Sequence, residues 1–354
     1  MIGRMNTHDA AIGEPRRSRI GRLSWLTGVL LLAAVVLVAT HLAEERELAR
    51  IVREADPLWL VAGALLQLAT YVCAAGVWQR ALAYLDVDAA LASLVPLGLA
   101  KLFTDQAVPS IGMSGTLLVV RGLERRGVAR TDAVAAMLSG LAGYYLAYFA
   151  AIAGAIAILW RHGELRPLIL VPAAALALFA AGVPLAMFAL RHRAVRRPPQ
   201  WMERWPGVRD VAAALRDAPP GTLFAPLLLV ETGVLQLAIF VLDVLTFATA
   251  LRAVATPVAP SLVFATFVVA SVVSSLAWVP GGLGTFEGTC VALLHLHGIA
   301  LEGALAATLL LRAMTFWLPM IPGFALARRE MGRSGAGAGA PPLAWATRRR
   351  RRNR

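Results

Sequence analysis

Lysine is almost missing from this sequence. Lys101 is the single lysine among 34 basic residues, and charged residues of all kinds make up 16% of the 354 positions. Soluble domains carry about a quarter charged residues, so the deficit argues against a soluble fold. Only two cysteines occur, Cys73 and Cys290, each inside an apolar run and outside any CxxC spacing, which speaks against a disulfide framework and a thiolate metal site. There is no GxxxxGK[ST] loop to cradle a nucleotide, no GxSxG elbow, no HExxH and no aspartate pair of a metal-dependent transferase. His295 and His297 form an HxH, but at that spacing on a helix they face different ways, and no third ligand stands nearby. The expectation is a protein that is not an enzyme and has no cofactor and no metal.

Apolar residues, by contrast, make up 58% of the chain, with a mean hydropathy of +0.68. Crossing a hydrocarbon core takes about 20 such residues in a row, and several runs qualify. The net charge of +13 is concentrated in the tails and in short loops between those runs. That is the pattern of cytoplasmic loops facing anionic headgroups rather than of a nucleic-acid surface. The fold class expected is an all-α polytopic membrane protein of a bacterial-type cytoplasmic (inner) membrane, with membrane lipids as partners at its basic loops and no nucleic acid.

Residues 1–22 read as a basic cytoplasmic tail, 23–327 as the transmembrane domain and 328–354 as a basic, disordered C-terminal tail ending in Arg348–Arg354. The run Leu23–Ala39 is long enough to span and has no convincing cleavage site, so it is read as a span and not as a signal peptide. About six full spans are expected, near 23–42, 58–78, 132–159, 168–190, 223–251 and 305–326, with Trp59 and Trp78 as interfacial anchors. Residues 43–57 hold five acids against three arginines and belong outside, whereas 191–217 hold seven arginines against three acids and form a basic cytoplasmic loop. Six crossings leave both termini cytoplasmic.

Two stretches do not fit a simple span. In WVPGGLGTFEG, Trp278–Gly288, an apolar run stops at Pro280, meets Gly281, Gly282 and Gly284, and then offers the carboxylate of Glu287. Proline removes a backbone donor and glycine permits tight paths, and such a break in lipid is tolerated only where protein or a wet cavity surrounds it. Residues 89–120 are interrupted in the same way at Asp105, Gln106, Pro109 and the small residues Ser110–Gly115. Both read as re-entrant helical hairpins.

The two stretches are also related by a constant shift: Pro109 falls on Pro280 at 171 residues, and the same shift puts Val108 on Val279, Gly127 on Gly298 and Ala133 on Ala304. An internal repeat is therefore expected, repeat 1 at about 89–159 and repeat 2 at about 260–327. Three crossings separate the hairpins, so they enter from opposite sides as an inverted repeat, the architecture of transporters that alternate access to a midplane site.

The candidate site residues are the intramembrane polar ones, each costing roughly 2.5 to 3.5 kcal/mol at a helix centre unless paired or wet. Glu287 and Arg312 either form a structural pin or together hold a zwitterionic or anionic headgroup beneath the second hairpin; an exchange of the two charges should restore folding if they are only a pin. Gln236 and Asp243, seven apart on one face with Thr246 a turn further on, either line a headgroup path or bond neighbouring helices. Lys101 and Asp105 have the spacing of a helical ion pair. Arg121 is either a phosphate contact or an interfacial anchor.

With PGGLGTFEG at 280–288, Arg312 and the run Pro319–Gly323, the chain resembles the lysylphosphatidylglycerol synthase transmembrane-region family over most of residues 20–330. The resemblance implies a stand-alone, flippase-like module without the soluble synthase domain, so lipid aminoacylation by this chain is not expected. Carried over by position, it supports Pro280, Gly281, Gly282, Gly284, Glu287 and Arg312 as the second-repeat motif, and Pro109, Gly112, Gly115 and Arg121 as a weaker first-repeat counterpart. The family often carries charges in its first repeat too, whereas here the shift sets Thr116 opposite Glu287 and Leu141 opposite Arg312. The function expected is a lipid flippase or transporter moving a lipid or glycolipid headgroup across the membrane. The alternative is a non-catalytic membrane subunit of a lipid, hopanoid or envelope-glycolipid biosynthetic complex, docking an enzyme through loop 191–217. A homo-oligomer is compatible with either.

Overall fold

The computed structural model describes Arg50, residues 53–107, 113–161, 163, 167–194, 223, 225–277 and 282–332. The first expected span, most of the basic loop 191–217, the N-terminal tail, the C-terminal tail beyond residue 332, and the motif residues Pro109, Gly112, Pro280 and Gly281 lie outside the described residues, whereas 328–332, expected in the disordered tail, continue the last helix. What is described is helical, with no strand: α1 (Pro57–Ala83), α2 (Leu91–Ala107), α3 (Met113–Glu124), α4 (Arg130–Arg161), α5 (Pro167–Ala194), α6 (Pro226–Ala253), α7 (Pro260–Leu276), α8 (Thr285–Leu296), α9 (Leu301–Arg312), a π-helical turn (Ala313–Trp317) and α10 (Leu318–Gly332). Among the described residues, five segments are long and apolar enough to cross a membrane: α1, α4, residues 170–189 of α5, α6, and the continuous run from Leu301 to Glu330.

Proline sets the helix starts. Pro57, Pro226 and Pro260 each occupy the first turn, where the missing N–H would have had no intrahelical partner. In front of Pro57 the Asp56 carboxylate accepts from the Leu58 N–H at 2.8 Å. The limbs α2 and α7 have 17 residues each, and α3 and α8 have 12 each. At 1.5 Å per residue the longer limbs reach about 25 Å, short of the roughly 30 Å core. The two limbs pack against each other in each case, α2 on α3 and α7 on α8.

The succession long helix, 17-residue limb, 12-residue limb, 32-residue helix occurs twice, as α1 to α4 and as α6 to α10. Its turns match bond for bond. After α3, Val128 N–H donates to Leu123 and Gly127 N–H to Glu124; after α8, Ile299 donates to Leu294 and Gly298 to His295. The pivots Gly127 and Gly298 have φ of +85° and +84°. This is the paired-bond helix stop that favours glycine. The same stop follows α1 and α6, but there its pivots are Asp86 and Ala255, at φ 57° and 54°.

Helices α1 and α6, which correspond in this succession, run antiparallel. Asp56 N–H donates to Ala253 O at 2.9 Å, Gln67 lies against Thr246, and Arg80 faces Glu231. The limbs are exchanged between halves: α2 packs on α10 and α7 on α4. Two apolar cores form, one around Trp78, Leu97 and Leu123 that also takes in Leu228 of α6 and Ala327 of α10, the other around Phe247, Phe267, Phe286 and Leu311. Leu58, Val61, Leu65, Leu68 and Val72 make an exposed stripe along α1, one side of a helix that is apolar all round.

One of the two expected tryptophan anchors changes. Trp78 is not an interfacial anchor: it is 6% exposed and packs beneath Gly98 and Gly140, because the small residues leave room for an indole between α1, α2 and α4. Trp59 does lie near a helix end, under the Arg252 guanidinium at 5.1 Å.

The crossing of α4 and α6 depends on the absence of a side chain at Gly143, where a Cβ would stand 2.6 Å from Thr232 Oγ1 and 2.9 Å from its backbone carbon. Gly143→Ala should destabilise by about 1–3 kcal/mol. Gly182→Ala on α5, with nothing within 4 Å, should be neutral or stabilising by up to about 1 kcal/mol. Melting curves in detergent check the pair, and equal curves would contradict so tight a crossing.

Candidate functional site

The second hairpin re-enters helix at Gly284, whose φ of +81° follows Gly282 at +62°. A Cβ on Gly282 would lie 1.7 Å from Ser274 Oγ on the descending limb, so only glycine lets the chain turn this close. The first N–H groups of α8 have no intrahelical acceptor. Glu287, three residues in, folds back so that Oε2 accepts from the Gly284 N–H at 2.6 Å, the carboxylate half of a capping box. The helix N-terminus also favours its negative charge.

The other carboxylate oxygen, Oε1, accepts from Nε of Arg312. Glu287 is 1% exposed and the Arg312 side chain 12%. The guanidinium lies between the rings of Phe286 at 4.9 Å and Phe316 at 5.1 Å, so its faces are covered by aromatic quadrupoles. Immediately after Arg312 the helix widens into the π-helical turn Ala313–Trp317, a distortion often found at functional positions. Glu287 and Arg312 thus meet as the sequence suggested, with a further task that charge alone does not reveal: the same carboxylate closes the broken backbone.

The first hairpin has its counterpart on the opposite limb. Asp105, near the end of α2, accepts from the Gly115 N–H in the first turn of α3 at 2.9 Å and from Lys101 Nζ at 2.5 Å. A Cβ on Gly115 would fall 2.3 Å from Asp105 Oδ1. Ser114 Oγ adds a bond to Thr104 O at 3.2 Å. A carboxylate, a basic side chain and an N-terminal N–H therefore recur, although the shift of 171 sets Thr116 opposite Glu287. The sequence signal was the Lys101–Asp105 spacing, and it showed the ion pair but not the cap.

The polar residues of α6 separate. Asp243 Oδ1 accepts from Gln67 Nε2 at 2.8 Å, and the same amide reaches Thr246 Oγ1 at 3.0 Å. Gln236 is half-buried and does not share this bond set; it stands where Gln67 stands in the other half, 169 residues on. Glu231 faces Arg80 at 4.0 Å. Arg121 is exposed on the last turn of α3. His295 and His297 turn their Nδ1 atoms to the carbonyls of Ile299 and Leu293 at 3.0 and 2.6 Å. Among the described residues no three His, Cys, Asp or Glu side chains cluster as metal ligands would. A cluster the sequence did not suggest lies just after the C-terminal end of α3: Glu330 receives both terminal nitrogens of Arg126, at 2.7 and 3.2 Å.

The pair should behave as a pin with a cap. Glu287→Ala should cost about 3–5 kcal/mol, the range for leaving one partner of a buried pair uncompensated. Exchanging the charges, Glu287→Arg with Arg312→Glu, should not restore the melting temperature even for a purely structural pair, because an arginine cannot accept from the Gly284 N–H. Wild-type melting of the exchanged protein would show that the cap contributes nothing.

A family model described as "Lysylphosphatidylglycerol synthase TM region" matches residues 25–323, and the chain belongs to that family. It is a multi-pass membrane protein by its five long apolar segments. No curated protein matches the chain.

Proposed function

We propose that this member of the lysylphosphatidylglycerol synthase transmembrane-region family is a lipid translocase of the cytoplasmic membrane, in which a lipid or glycolipid headgroup passes between two re-entrant hairpins of an inverted repeat while its tail stays in the bilayer. The observation that carries the reading is the antiparallel packing of α1 and α6, the corresponding first helices of two like-built halves. Transporters that alternate access commonly have this arrangement, with broken helices beside the transport path. In this reading the 17- and 12-residue limbs enter and return on one side, both termini are cytoplasmic, and the half-buried Gln236 and Asp243 line the path. Glu287, Arg312 and the tip residues Pro280, Gly281, Gly282 and Gly284 shape its wall, and Arg121 meets lipid phosphate at the surface. The chain carries out no covalent chemistry.

Reconstitution tests the reading. Purified protein in liposomes should speed the exchange of a fluorescently labelled phosphatidylglycerol between leaflets, followed by quenching of the outer leaflet. Arg312→Ala should slow that exchange at least tenfold. No exchange without added partners would favour the membrane-subunit alternative, in which the basic loop 191–217 docks a biosynthetic enzyme.

Single cysteines test the inversion. Met113 at the start of α3 is 71% exposed and Leu276 at the end of α7 is 46% exposed, whereas Gly282 has no room for a side chain. With Cys73 and Cys290 replaced by alanine, a membrane-impermeant maleimide should reach Met113→Cys and Leu276→Cys from opposite sides. Labelling from one side would remove the inverted-repeat argument.

A further inference from the structure

Among the described residues, three acidic side chains of the helices and limbs each face a cation: Asp105 has Lys101, Glu231 has Arg80 and Glu287 has Arg312. Asp243 does not. It sits in the interior of α6, seventeen residues from its start and ten from its end, at the depth where an uncompensated charge is most costly. Its contact is with an amide: Gln67, 5% exposed on α1, directs Nε2 at both Asp243 Oδ1 and Thr246 Oγ1. Thr246 gives its own hydrogen to Leu242 O at 2.8 Å, so it accepts from Gln67, and both Nε2 hydrogens are committed. Asp243 Oδ2 remains.

From this geometry we infer that Asp243 is a proton-binding site that couples lipid movement to the proton gradient. The inference rests on the translocase reading and adds its energy source. A proton fits better than a metal cation, because Gln67 and its committed hydrogens present donors where a cation needs acceptors. One proton adds to Asp243 Oδ2 from one side of the membrane and leaves to the other, and nothing else is consumed. Protonation alters what Asp243 offers Gln67, from a charged acceptor to a neutral acid, and Gln67 belongs to the opposing half. The titrating group therefore acts across the contact between the two antiparallel helices about which the halves are related.

Among the described residues packed around Asp243, no competing charge lies at that depth. On α1 Asp243 meets Gln67, with Thr70 bonded to the Gln67 carbonyl and Tyr71 one turn further on. On α4, Tyr144 and Tyr148 stack on Phe240, one turn before Asp243. The segment α7 contains no acidic, basic or histidine residue, and on α9 Glu302 stands in the first turn while Arg312 is held by Glu287.

Two measurements test the site, and only the second depends on transport. Infrared difference spectra of the purified protein across a pH titration should show the carbonyl stretch of a protonated carboxyl that disappears in Asp243→Asn and moves in frequency in Asp243→Glu. A band unchanged in both variants, or no titrating band in the wild-type protein, overturns the proposal. In liposomes, an imposed pH gradient should bias labelled phosphatidylglycerol towards one leaflet at least threefold in the wild-type protein, and replacing sodium by potassium should leave the bias intact. Asp243→Glu should retain a bias and Asp243→Asn should show none. Exchange that ignores the gradient in the wild type refutes coupling while leaving the translocase reading in place; no exchange at all refutes the translocase reading, and the infrared titration still decides whether Asp243 takes up a proton.

Discussion

A helix that begins in a packed, apolar hairpin leaves backbone donors that no helical carbonyl meets, and the two short-limbed hairpins are organised around satisfying those donors. At the start of α8 the Gly284 N–H finds Glu287, and in the first turn of α3 the Gly115 N–H finds Asp105. Each carboxylate brings a negative charge into an apolar region, so each needs a cation, and Arg312 and Lys101 supply it. Each arrangement also demands close approach, which is why glycine stands at 282 and 115, where a Cβ would collide with Ser274 or Asp105. The break, the acid, the base and the glycine form one linked requirement.

That linkage explains how much could be read beforehand. The Gly-rich, Glu-ended stretch was legible because all its parts lie within a few residues, and the long spans were legible from apolar length alone. The shift of 171 between Gly127 and Gly298 was legible because both stops use glycine at positive φ. The equivalent stops after α1 and α6 were not, since Asp86 and Ala255 occupy the left-handed pivot without the residue that usually marks it. The repeated arrangement therefore begins earlier, at Pro57 and Pro226, than the sequence match indicated. Trp78 was misread for a related reason: an indole near the end of an apolar run looks interfacial, and only the packing shows that Gly98 and Gly140 make room for it inside.

The first-hairpin carboxylate was hidden more deeply. A residue-by-residue comparison at constant shift looks for the acid on the returning limb, where Glu287 is, and finds Thr116. The physical demand is only that an acceptor reach the N-terminus of that limb, and Asp105 reaches it across the hairpin from α2. Two sequences thus satisfy one backbone constraint from opposite strands of the turn. A site defined by geometry can persist where position does not.

This has a consequence for what counts as functional here. Glu287, Arg312, Asp105 and Lys101 are polar residues in an apolar place, the usual mark of a transport path, yet the need to close broken helices already accounts for them. Arg126 and Glu330 likewise tie α10 to the turn after α3. The residue that folding explains least is the one that no cation among the described residues balances and whose helix is unbroken: Asp243, held by the buried Gln67 of the opposing half. Among the described residues, Asp105, Glu231 and Glu287 each face a base, and the acid left to an amide is Asp243 in the interior of α6.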